Sequence, residues 1–266
     1  MSDIGPFEGD VEEVPLERSP LATVLAQVKF PKAPALSNTE RVLELLRLDY
    51  PILRSQPALT LALGQPSGPA VLPAPGITTL NVFSDIAGSH QVTIADDAIT
   101  LQTIAYSSRE EFVGRFAKIV GELLPLAKPP LIDRIGVRYI NQISDSSILQ
   151  DIKSLLRPEV LAGLSLPETE GIKVEHTLVD SQFSVHSNGF LRFRSGLIPA
   201  GAAVDPGVPV NDQPSFLLDM DCSVVGSLQP DATYVASEVR RLAESAYRFF
   251  RWAITPKFLR TFGGRS

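Results

Sequence analysis

The sequence predicts an α+β fold, a largely antiparallel sheet with helices packed on one of its faces. Three observations carry that expectation. Short runs of alternating apolar residues follow one another through turn-forming pairs, at Asp96-Asp97 and at Asn188-Gly189. Asn-Gly is a strong hairpin signal because both turn residues must accept positive φ. Two longer stretches, after Ser108 and after Asp231, have the 3.6-residue period of amphipathic helices. Each half of the chain ends in strands followed by one long helix, without a sequence repeat, and runs of hairpins with separate helices indicate segregated elements whose helices cover one side of the sheet.

Residues 1–19 read as an acidic flexible tail, with Asp3, Glu8, Asp10, Glu12, Glu13 and Glu17 against Arg18. Residues 20–266 read as a single domain with halves 20–145 and 146–266. LATVLAQVKF (21–30) alternates well enough for a strand, which Pro31 and Pro34 close. Asn38 or Thr39 caps a helix to about Asp49, with Val42, Leu43, Leu45 and Leu46 apolar, and Pro51 ends it. PALTLAL (57–63) is a strand, and the proline- and glycine-rich 64–76 is a surface loop. TTLNVFSD (78–85) precedes a glycine turn and HQVTIADDAITLQTIAY (90–106), two strands joined at Asp96-Asp97. Ser107 or Ser108 caps the next helix, with Glu111 completing a capping box to Ser108. Phe112, Phe116, Ile119 and Leu123 form its apolar side, and Pro125 with Pro129-Pro130 terminates the section. RIGVRYINQI (134–143) returns as a strand.

In the second half, a short helix over about 148–164 leads to the strand VEHTLVDSQFSVH (174–186). The return strand after Asn188-Gly189 is FLRFRSGLI (190–198). A Pro/Gly/Ala loop spans 199–214, and SFLLDMDCSVV (215–225) is a strand. Asp231 or Thr233 opens a helix to about Ile254 whose core stripe is Val235, Val239, Leu242, Ala246, Phe249 and Ala253. Pro256 stops it.

At 266 residues, 44% of them hydrophobic and 20% charged, the chain can bury a substantial core. Its one cysteine, Cys222, excludes an internal disulfide and a zinc-type cysteine cluster. The acidic start is unlike a secretory signal, and no run of about 18 apolar residues suggests a membrane span, so a cytoplasmic protein without membrane contact is expected. The net charge of −6 argues against general nucleic-acid binding. The charge is uneven, since residues 232–266 carry seven bases against Glu238 and Glu244. The acidic tail and basic end are either separate solvated surfaces or a tail that covers a basic surface.

PLATVLAQVKFP, LQTIAYSSREEF, RIGVRYINQI, FLLDMDCS and FFRWAIT, in this order and spacing, resemble a sporadically distributed prokaryotic protein family of unknown function and roughly this chain length. The resemblance covers most of residues 20–256, and RIGVRYIN is its most specific piece. The tryptophan expected just before Phe83-Ser84 is absent, and Ala246 stands where a histidine is common in the family. The resemblance implies a fold and a prokaryotic origin, and no activity.

Alternation along 215–225 places Phe216, Leu218, Met220 and Cys222 on one face and Asp219 and Asp221 on the other. Along 190–198, Leu191 and Phe193 oppose Arg192 and Arg194. If these strands are neighbours, two arginines face two aspartates. The result is either a solvated salt-bridged face, at about 0.2–1 kcal/mol per pair, or an arginine pair that binds a carboxylate or phosphate. Within 134–143, Arg134, Gly136 and Arg138 share one face and Val137, Tyr139 and Asn141 the other. Tyr139 and Asn141 either finish a buried strand end or orient a ligand. On the last helix Arg241, Arg248 and Arg251 fall near one side, close to Tyr247 and Trp252. That side is either solvated or a contact surface for an acidic partner.

No metal site is expected. His176 and His186 would lie roughly 33 Å apart on one extended strand, and His90 is remote in sequence. With no G-x-S-x-G elbow, P-loop or dinucleotide fingerprint, no cofactor and no catalytic residue is expected. Cys222 falls on the core face. The leading expectation is therefore a non-catalytic protein-interaction or assembly module, partnered by another protein or by itself. The alternative is a small-ligand-binding or hydrolytic protein, its pocket between sheet and helices lined by Arg138, Tyr139, Arg192, Arg194, Asp219 and Asp221.

Overall fold

The computed structural model describes residues 11–60, 76–167, 170–171, 173–185 and 188–264. Among them are nine strands, β1 (Leu21–Lys29), β2 (Ile52–Thr60), β3 (Gly76–Ser84), β4 (His90–Ala95), β5 (Ala98–Thr103), β6 (Ile132–Ile143), β7 (Val179–Val185), β8 (Gly189–Ile198) and β9 (Ser215–Leu228). The helices are α1 (Thr39–Leu46), α2 (Arg109–Ala127), α3 (Ser146–Gln150), α4 (Ile152–Leu155), α5 (Ala232–Ala253) and α6 (Pro256–Thr261). The strands form one sheet in the order β2-β3-β4-β5-β1-β6-β9-β8-β7, antiparallel throughout. This is the α+β class that the sequence predicts.

The order encodes two similar paths. In each of two stretches, 21–127 and 132–253, the first strand lies at the sheet centre, and the last strand before the long helix returns beside it. β5 pairs with β1 ahead of α2, and β9 pairs with β6 ahead of α5. β1 and β6 join the two stretches, with Val24 opposite Tyr139. The two long helices consequently arrive on the same face and pack together. Phe112, Phe116 and Leu123 of α2 and Val235 and Val239 of α5 are fully buried there with Val24, Ala26 and Val28 of β1. Burial of each large apolar side chain contributes about 1.5–3 kcal/mol. All six stripe residues of α5 are in this core.

Several boundaries differ from the sequence reading for local reasons. β2 starts at Ile52 and runs through Pro57. A strand tolerates that proline at a sheet edge, where no neighbour needs its missing N–H. Residues 61–63 of the expected strand, and most of the loop after it, lie outside the described residues. Pro125 does not end α2, because in the last turn its missing N–H removes a single ladder bond. The helix instead closes at Lys128, left-handed at φ 44°, whose N–H donates to Leu124 O at 2.8 Å. The single helix expected over 148–164 is broken into α3, α4 and two 3-10 turns, at Pro158–Val160 and Ala162–Ser165. Of the strand expected over 174–186, β7 keeps only Val179–Val185, and His186 lies outside the described residues. Thr177 instead crosses Gly196 so closely that a Cβ there would lie 1.9 Å from Thr177 O. Pro256 stops α5 but also begins α6, at the first helical position where proline is favoured, with Thr255 Oγ1 accepting from Phe258 N at 3.3 Å.

The other face of the sheet is not a bare solvated surface. Residues 199–214 fold over it and enclose a second small core of Ile140, Ile198, Val208 and Leu217.

Candidate functional site

Small residues open a cleft between the sheet and the long helices. Where α5 crosses β6 and β9 it presents Ala243 and Ala246, and the space they leave is a cavity of about 290 Å³. This lies at the lower end of the range in which proteins hold small organic molecules. Tyr139 and Asn141 of β6 and Met220 of β9 form its floor, α5 adds Tyr247 and Phe250, and Tyr106 to Arg109 at the start of α2 form one end. Residues 13–16, with Ser19 and Leu21, complete the wall.

The polar groups converge on this space. Tyr106 and Tyr139 lie against each other, and their rings meet edge to face at 5.7 Å. Burial pushes the Tyr139 phenol well above its usual range and raises that of Tyr106. Both are neutral near pH 7 and can donate or accept a hydrogen bond, but neither is a base. Asn141 is buried and donates to Leu218 O at 3.4 Å, so it both completes the strand end and lines the cleft. The ionisable groups among the described lining residues are Glu13, Arg109 and the tyrosines Tyr106, Tyr139 and Tyr247. That set can hold and orient a molecule, but it does not pair a nucleophile with a general base.

Residues 11–19 form a strap along the cleft. The Val14 N–H donates to the Tyr247 hydroxyl at 2.8 Å, and Glu12 O accepts from Arg251 Nη1 at 2.7 Å and from the Tyr247 hydroxyl at 3.2 Å. Glu13 forms an ion pair with Arg109, whose guanidinium lies 5.8 Å from the centre of the Tyr247 ring. Further on, Arg18 donates its N–H to Phe262 O at 3.0 Å and its Nη2 to Thr261 O at 2.6 Å. The described part of the acidic tail, residues 11–19, lies against α5 and residues 261–262.

The arginine–aspartate group lies on the opposite face of the sheet from this cleft. β8 and β9 are neighbours, with Arg194 opposite Asp219 and Arg192 opposite Asp221. The side chains choose other partners in part. Asp219, 2% exposed, accepts from Arg138 Nε and Arg194 Nε, each at 2.8 Å. Asp205, from the covering loop, pairs with both arginines. Asp221 binds Arg134 Nη2 at 2.7 Å, and Arg192 turns outward to Asp180 Oδ1 at 2.9 Å. A Cβ at Gly207 would lie 2.6 Å from Arg138 Nη1, so glycine lets the loop close down on the network. The pocket expected to combine Tyr139 with Arg138, Arg192, Arg194, Asp219 and Asp221 does not form. A strand turns alternate residues to opposite faces, and these ions neutralise one another.

Burial alone would raise the pKa of Asp205, but the charges and hydrogen bonds of Arg138 and Arg194 outweigh it and bring it down to about 2 from 3.8. A carboxylate with a depressed folded-state pKa contributes stability above its unfolded pKa and loses it as pH falls through the folded value. Between about pH 4 and pH 2 this pairing should give up about 1–2 kcal/mol, less than the full linkage value because pH 2 only reaches the folded pKa. Urea unfolding at pH 5 and pH 2.5 checks this, and Asp205→Asn should flatten that part of the acid dependence.

The arginines of α5 are engaged too. Arg241 Nη2 donates to Glu238 at 2.6 Å, Arg251 holds the strap, and Arg248 is half-buried with an interaction of its own. They do not present one bare cationic face. Asp85, Ser89 and His90 also meet, but Asp85 Oδ2 takes both the Ser89 hydroxyl at 2.9 Å and His90 Nδ1 at 3.0 Å. A hydrolytic triad needs its serine on the other ring nitrogen, and here Nε2 is buried without a partner. The arrangement closes the turn into β4, where Asp85 Oδ1 accepts from Ser89 N at 2.8 Å. Among the described residues no three His, Cys, Asp or Glu side chains gather as metal ligands, and no helix is long and apolar enough to cross a membrane. Cys222 is buried as expected, and burial pushes its thiol up to about 12.

Of the expected site residues, Tyr139 and Asn141 alone reach the cleft. Sequence reasoning missed Tyr106, Arg109, Tyr247, Met220 and the strap's Glu13. Tyr106 to Arg109 belong to the conspicuous stretch LQTIAYSSREEF, and Tyr247 sits beside the arginines of α5, but only the strand order brings them together. No protein-family model, no curated protein and no solved structure matches the chain.

Proposed function

We propose that this protein binds a small organic molecule in the cleft between the sheet and helices α2 and α5, and does not transform it. The observation that carries this reading is the cavity of about 290 Å³ where Ala243 and Ala246 stand back from Tyr139 and Asn141. Space of this kind with a few convergent polar groups is the usual form of a ligand site. The resemblance of the sequence to a prokaryotic family supports a prokaryotic setting. Ligand-observed NMR with monocyclic and eight-carbon fragments tests the reading. Ala243→Leu and Ala246→Leu each place a larger side chain in the cleft and should weaken the best fragment at least tenfold while the protein stays folded. Unchanged binding in both variants would rule the site out.

A second reading, association with another copy of this chain, is favoured by β7. This strand ends the sheet, and Val179 and Phe183 on it are 38% and 42% exposed, next to Leu178 at 44%. An open edge bearing apolar side chains is a template for strand pairing. Light scattering should then report a dimer that Phe183→Lys dissolves, and a monomeric parent protein would dispose of it.

A further inference from the structure

We infer that the ligand of this cleft is a monocarboxylate with an apolar body, and that Glu13 of the strap occupies the carboxylate position until the ligand arrives. The inference rests on the small-molecule reading of the cleft and adds the chemical class of the ligand and a means of regulation. Arg109 lines the cleft with its side chain 15% exposed, and its partner Glu13 reaches in from the solvent side with its side chain 50% exposed. The anion is thus the accessible and exchangeable half of the pair. The strap backbone beside it stays anchored, by Val14 N and Glu12 O to the Tyr247 hydroxyl, by Glu12 O to Arg251, and by Val14 and Leu16 packed against the core, so it is the Glu13 side chain that exchanges. If Glu13 withdrew, a half-buried guanidinium and the Tyr247 phenol would face the cleft together. An arginine fork matches a carboxylate in shape and charge.

The surrounding charges select a single negative charge. Glu244 Oε1 lies 3.7 Å from Arg109 Nη1, so one incoming carboxylate restores the balance that Glu13 provides. A second anionic group would find no further cation among the described lining residues. Beyond Arg109, Leu21, Met220, Ala246 and Phe250 supply apolar wall, and Asn141, the serines and the Tyr106–Tyr139 pair offer neutral donors and acceptors rather than a second charge site. An acid with a short alkyl or aryl body fits this division.

Calorimetric titration of octanoate, octanol and octylammonium into the full chain tests the inference. Octanoate should bind at least tenfold tighter than octanol, and octylammonium least. Glu13→Gln should tighten octanoate about tenfold and octanol much less, because it vacates the guanidinium without narrowing the cleft. Arg109→Gln, checked for folding by its circular dichroism and melting temperature, should remove the preference and leave octanol binding in place. Equal affinities for octanoate and octanol, or no response of octanoate to Glu13→Gln, would overturn the carboxylate assignment while the cleft still binds octanol. Absence of binding by all three probes in both the parent and Glu13→Gln would overturn the small-molecule reading as well.

Discussion

Asp219→Ala should lower the unfolding free energy by about 3–5 kcal/mol, read as a shift of the urea midpoint at neutral pH. This is the magnitude expected when one partner is removed from a buried ionic network and the remaining charge loses its compensation. Asp219 is 2% exposed and receives Nε hydrogen bonds from both Arg138 and Arg194, whose side chains are 17% and 7% exposed. After the substitution the two guanidiniums would have Asp205 as their shared remaining anion, under a loop that keeps water away. The contrast is Arg192→Ala. Arg192 and Asp180 are each 42% exposed, and such surface pairs contribute about 0–1 kcal/mol. A loss below about 1 kcal/mol for Asp219→Ala would mean that the loop does not seal the network. A simultaneous change of all four ionic residues to apolar ones of similar volume is a different experiment. It can be neutral or stabilising, because the penalty comes from an unpaired buried charge and not from the lack of a pair.

The same network marks how far the sequence could be read. Alternation along β8 and β9 puts Arg192 and Arg194 on the face of Asp219 and Asp221, because parity is fixed by the backbone, and the strand pairing sets Arg194 opposite Asp219. Asp205 could not be found that way. It lies in a proline- and glycine-rich stretch with no period, so nothing local tells where its carboxylate points. The face that alternation marks as polar therefore reads as solvated, although a loop covers it. The cleft has the same history from the other side. Tyr139 and Asn141 are legible as a pair on one face of β6. Their partners Tyr106, Met220 and Tyr247 come from three other segments, and the β5-β1-β6-β9 order that joins them depends on long-range pairing. Pro256 shows a third kind of limit. As a helix breaker it is read correctly, but proline is also well suited to start a helix. Its second role, opening α6, is signalled by Thr255 just before it as an N-cap, a pattern the sequence reading did not use.

That last helix carries the second large effect. Phe258→Ala should cost about 3–5 kcal/mol, the range for truncating a buried phenylalanine. Phe258 is 0% exposed, with its ring 5.6 Å from Phe250 and 4.5 Å from Phe262. The damage should not stop at α6. The strap rests on the same end of the chain, through Arg18 to Thr261 and Phe262, and a Cβ on Gly264 would lie 3.0 Å from side-chain atoms of Val14 and Leu16. Loosening α6 therefore loosens the strap, and hydrogen exchange at the Arg18 and Val14 amides should quicken in step with the loss of stability. Lys257→Ala provides the control. It removes a pair to Asp151 in which both side chains are 48% exposed, so it should leave stability within about 1 kcal/mol and the two amides protected. If Phe258→Ala destabilised the protein while Arg18 and Val14 kept their protection, α6 would not be what anchors the strap. If they lost it together, the aromatic cluster Phe250–Phe258–Phe262 would be one anchor of the strap that carries Glu13, beside the links from Tyr247 and Arg251 of α5.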